Sequence, residues 1–79
     1  MTLAQALAKR IDELLEQSNL TQYQLAKRSG LAQTTIADIR KMRNNGTNVL
    51  NLNAIAQGLG MDLCEFFNSP LFKAENISD

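Results

Sequence analysis

Apolar residues recur along this chain at intervals of three and four, the period of a helix that turns one face toward a core. Leu3, Leu7, Ile11, Leu14 and Leu15 draw the first such stripe and predict a helix over residues 3–17. Thr2 and Gln5 are spaced as a capping box at its start, and Asn19 suits a left-handed stop at its end. A second helix opens in the same way, with Thr21 placed to accept the backbone N–H of Gln24 while the Gln24 side chain reaches back; it closes at Ser29-Gly30. A third is predicted over residues 33–42. A fourth follows Asn48 as its cap and carries Val49, Leu52, Ile55, Ala56 and Leu59 inward. A fifth starts at Asp62, with Glu65 three residues later as a further capping box, and buries Leu63, Phe66 and Phe67. No alternating β-branched run competes, so the fold class is all-α, a compact five-helix bundle.

Residues 21–40, TQYQLAKRSGLAQTTIADIR, hold the second and third helices with too few residues between them for a wide connection. That is a helix-turn-helix. Leu25 and Ala26 fall on the inner face of its first helix, Ile36 and Ile39 on the inner face of its second. Ala26 is small where two helices cross closely, and Gly30 stands where the chain reverses and a left-handed backbone favours glycine. Gln33, Thr34, Ala37, Asp38 and Lys41 are left pointing outward. In a DNA-binding version of the motif, that outward face enters the major groove.

The segment resembles the helix-turn-helix of the phage Cro and repressor type, also called XRE-type. LTQ at residues 20–22, LNAIAQGLGMDLCEFF at residues 52–67 and the amphipathic first helix match that family as well, so the resemblance covers residues 3–68. It implies a bundle of the lambda-repressor-like DNA-binding type and a bacterial or phage transcriptional regulator, repressor-like, that binds double-stranded DNA as a homodimer. Residues 1–69 would form the DNA-binding domain and residues 70–79 a C-terminal tail. Two positions depart from the pattern. Ala32 stands where the family usually has a serine or threonine cap, a loss of about 1 kcal/mol at that helix end. Met42 replaces a glycine that often ends helix three, so the helix is expected to run on and Asn44-Asn45-Gly46 to make the reversal.

A chain of 79 residues fits one small domain. Its formal charge is zero, which taken alone argues against a nucleic-acid partner. The distribution argues otherwise. Between residues 17 and 60 stand Lys27, Arg28, Arg40, Lys41 and Arg43 against the single acid Asp38, while the acids collect outside that stretch. The neutral total therefore conceals a basic patch centred on the motif. The lone Cys64 has no internal disulfide partner, and no apolar run approaches the roughly 18 residues of a membrane span, so a cytoplasmic location without membrane contact is expected.

A base-reading side chain must be exposed on the early turns of helix three and carry hydrogen-bonding groups. Gln33 fits best, because its amide both donates and accepts and so matches the edge of adenine. Thr34 offers a hydroxyl and a methyl. Asp38 accepts from a cytosine amino group, or else it balances Lys41 or Arg40. The resemblance places base contacts at Gln33, Thr34 and Asp38, and a phosphate contact at Gln22, where the N–H groups of a helix start also face the anion. Tyr23 either reaches the DNA backbone beside Gln22 or rests on the bundle edge. Lys41 and Arg43 complete the phosphate-facing set.

Nothing in the sequence suggests an enzyme, a cofactor, a metal site or a small-molecule ligand: there is no histidine, no Gly-rich phosphate loop and no cluster of metal ligands. The competing reading is a protein-binding helix-turn-helix module such as an antitoxin or anti-repressor. Beyond helix five, Phe67, Leu71 and Phe72 flank Pro70. They either fold back as a lid or form a dimer contact. The dimer version sets two recognition helices about 34 Å apart, one turn of B-DNA.

Overall fold

The computed structural model describes residues 1–43 and 47–79. It is all-helical, and no strand occurs among the described residues: α1 (Leu3–Ser18), α2 (Gln22–Ser29), α3 (Gln33–Arg40), α4 (Val49–Gly58) and α5 (Leu63–Phe67) are followed by two 3-10 turns, Pro70–Phe72 and Ala74–Asn76. The Cα radius of gyration, 11.6 Å, is that of a close-packed chain of this length, about 12 Å.

Local chemistry sets the helix starts. Thr2 Oγ1 accepts from Gln5 N–H at 3.1 Å while Gln5 Oε1 accepts from Thr2 N–H at 2.8 Å, and Thr21 and Gln24 repeat the exchange at 3.1 and 2.9 Å. Each box satisfies two backbone donors that the first helical turn leaves over. Asn48 caps α4 through Asn51 N–H, and Asp62 caps α5 through Glu65 N–H, which is half of the box expected there. α1 ends on Asn19 at φ 54°, α2 on Gly30 at φ 76°.

The inner stripes meet in one core made of Leu7, Ile11, Leu14, Leu15, Leu25, Ala26, Ile36, Ile39, Leu52, Ile55, Ala56 and Phe66. α2 lies against α4, and its close approach uses a glycine that periodicity alone did not single out. A Cβ on Gly58 would stand 3.1 Å from Leu25 Cδ1 and 3.1 Å from the backbone N of Ser29, tighter than ordinary packing allows. α1 packs on α3 and on the turn at Pro70–Phe72. Arg10 ties α1 to α5, donating through Nε to Phe66 O at 2.7 Å and through Nη2 to Glu65 O at 2.8 Å. A cation there also suits the negative end of the helix.

Several inward assignments fail at element ends. Val49 is 67% exposed and its neighbour Leu50 82%, because α4 meets α2 through its later turns and its first turn overhangs. Leu3 is exposed at the opposite end of the molecule's first helix, where Ala6 and Ala8 are buried instead. Phe67 is exposed at 37% while Phe66 is fully buried. Consecutive helical residues point about 100° apart, so with Phe66 aimed at the centre of the core Phe67 turns toward its edge.

α3 stops at Arg40 rather than continuing to Met42. Met42 itself takes the left-handed conformation, φ 60°. Its N–H donates to Ile39 O at 3.1 Å and Arg43 N–H donates to Asp38 O at 2.8 Å, the paired bonds of a Schellman stop. The reversal is thus made by methionine in the place of glycine. The one expected at Asn44-Asn45-Gly46 lies outside the described residues.

The tail folds back on its own chain. Phe72 packs against the core, with its ring centroid 6.3 Å from Phe66 and 4.8 Å from Phe67. Ser78 N–H donates to Met1 O at 2.9 Å, and Leu3 N–H to Asp79 Oδ1 at 2.9 Å.

Candidate nucleic-acid interface

α2 and α3 are joined by Gly30, Leu31 and Ala32, and their buried sides, Leu25, Ala26, Ile36 and Ile39, belong to the common core. Packing of these four fixes how α3 is presented. Gln33 and Thr34 stand exposed on its first turn, Lys41 and Arg43 are exposed just past its last, and Ala37 and Asp38 are half-buried between them. Ala32 makes no side-chain cap; its carbonyl accepts from Thr35 N–H at 3.1 Å and Ile36 N–H at 3.4 Å, and the remaining donors of the first turn gain no side-chain acceptor from it.

The charged residues are paired differently from the sequence expectation. Asp38 Oδ1 meets Arg43 Nη1 at 3.5 Å, instead of balancing Lys41 or Arg40. The i+5 spacing becomes close because the Schellman stop folds Arg43 back over the last turn of α3. Arg40 turns the other way, toward α1: its Nε lies 2.6 Å from Asp12 Oδ1 and its Nη1 donates to Gln22 Oε1 at 2.9 Å. Among the described residues, Lys27, Arg28 and Lys41 make no ion pair. The patch therefore presents less free charge than a count of residues suggests.

Gln22, on the first turn of α2, is half-buried, and its Nε2 donates to Gln33 O at 3.5 Å, bringing the expected phosphate-facing and base-reading positions together. Tyr23 is exposed, and Lys27 Nζ sits 5.0 Å from its ring centroid. An ammonium above an aromatic face is held there electrostatically. Asp12 is the residue that the sequence leaves out of this constellation, and Arg40, counted there only within the basic patch, is tied to it across a 28-residue separation that follows no helical spacing. No helix among the described residues is long and apolar enough to cross a membrane.

Comparison with known families gives one result that bears on this surface: the model described as the Cro/C1-type HTH DNA-binding domain matches residues 10–69, from the middle of α1 to the end of α5 and just beyond. No curated protein and no solved structure matches the chain.

Proposed function

The chain belongs to the Cro/C1-type helix-turn-helix DNA-binding family, and from that premise we propose that it is a sequence-specific regulator of transcription that lays α3 in the major groove of duplex DNA. The observation that carries this reading is the composition of α3: exposed Gln33 and Thr34 on its first turn, and past its end the exposed Lys41, which makes no ion pair among the described residues. In this reading Gln33 and Thr34 contact bases, with Asp38 a third contact once Arg43 swings to a phosphate. Gln22, Tyr23, Lys41 and Arg43 hold the backbone, which fixes register without reading sequence.

The proposed assembly is a homodimer on an inverted repeat, because one domain of this size makes few phosphate contacts and two half-sites multiply both affinity and specificity. The tail offers less to such a seam than its sequence suggests, since Leu71 and Phe72 are half-buried and Phe67 alone of the three is exposed. Selection of bound duplexes from a random library, followed by salt titration of the selected site, tests the reading. A two-fold repeat with half-sites centred about 10 base pairs apart is expected, with log affinity falling linearly against log salt. Failure to enrich any duplex, at low salt as well, favours the protein-binding module.

A further inference from the structure

Arg40 counts among the basic residues of the motif, yet its guanidinium is already engaged on both sides. It lies at the end of α3 and joins Asp12 on α1, at 2.6 Å, to Gln22 on α2, at 2.9 Å. A guanidinium has five donors and no acceptor. Only the oxygen of the Gln22 amide can therefore face it, and the NH2 end is turned the other way, toward the first turn of α3, where it lies 3.5 Å from Gln33 O. That last contact is long, so the amide donors remain largely unspent. Asp12 balances the charge of Arg40 and holds its planar fork in register, a geometry that the point charge of a lysine does not reproduce.

We infer that Arg40, anchored by Asp12, is a positioning residue that sets the rotamer of Gln22 so that the amide presents its N–H groups on the DNA-facing side. A phosphate oxygen only accepts, and a glutamine turned the other way would oppose it with a carbonyl. The inference deepens the proposed role of Gln22 as a phosphate contact and rests on it, but the orientation of the amide belongs to the free protein. It also separates two contributions that sequence counting merges: Arg40 supports affinity without releasing a counterion, because its charge is met by Asp12.

The test uses the full chain carrying Arg40→Lys, Arg40→Met or Gln22→Ala, and the Gln22→Ala/Arg40→Met double variant. In the free protein, the two side-chain amide proton signals of Gln22 in NMR should be displaced from those of exposed glutamines. Both Arg40 variants should move them toward those of exposed glutamines, the lysine without rescue. Unchanged signals, or full rescue by lysine, overturn the orientation. On a random-sequence duplex, Arg40→Met should weaken binding about three- to tenfold, the worth of one hydrogen bond, with an unchanged salt slope and no further loss in the Gln22→Ala background. A slope reduced by about one, or additive losses, would mean that Arg40 itself meets a phosphate and overturns the inference. A wild-type chain that binds no duplex defeats the DNA reading instead, and the amide signals then decide the orientation alone. Arg40→Lys keeps the charge and carries the measurement should Arg40→Met fail to fold.

Discussion

Lys41 and Arg43 stand on either side of Met42, yet only Arg43 has a carboxylate beside it, that of Asp38. A cation that must leave a partner gains less on meeting a phosphate than a free one. Lys41→Ala should therefore lower the slope of log affinity against log salt by about one unit, while Arg43→Ala should lower it by less and Asp38→Asn should tighten binding to random-sequence DNA. Fluorescence anisotropy across a salt series checks this; equal slopes for the two alanine variants and a silent Asp38→Asn would show that the pair opens without consequence. At this scale the sequence was legible where exposure follows from helical period, as for Gln33 and Thr34. It was not legible for the partners of Gln22 and Arg40, because those contacts join residues 18 and 28 positions apart, and no spacing rule links three different helices.

The stop of α3 is the element most open to change. Met42 occupies a left-handed backbone at φ 60°, which disfavours a residue with a Cβ by about 1–2 kcal/mol. Glycine removes that strain but gives the unfolded chain more freedom, an opposing term of about 0.4–1 kcal/mol. Met42→Gly should thus stabilise the fold by up to about 1.6 kcal/mol and raise the thermal midpoint by roughly 4–8 °C per kcal/mol. Thermal denaturation followed by circular dichroism reads it; a lower midpoint would mean that the Met42 side chain packs to an advantage exceeding its strain. Helix existence and starts were readable from caps and period, as at Thr2, Thr21 and Asn48. The ends were harder. Nothing local in the order KMRNNG shows that methionine will turn before the Asn-Asn-Gly that follows it, and the overhang of Val49 depends on where α2 ends in space.

Across the whole molecule, the tail closes over α1 and places Phe72 on Phe66. A half-buried phenylalanine should contribute less than the roughly 3–5 kcal/mol of a fully buried one. Phe72→Ala is expected to destabilise the fold by about 2 kcal/mol, seen as a lower denaturant midpoint that does not vary with protein concentration. A midpoint that is unchanged would remove Phe72 from the core, and one that shifts with concentration would place it in a contact between copies. The outward face of α3 is tested most directly by the affinity of Gln33→Ala for the selected duplex and for random DNA, side by side at one salt concentration. A loss of about 1–3 kcal/mol on the selected duplex with almost none on random DNA is the result expected of a base-reading Gln33. Equal losses on both, or no loss on either, would contradict it.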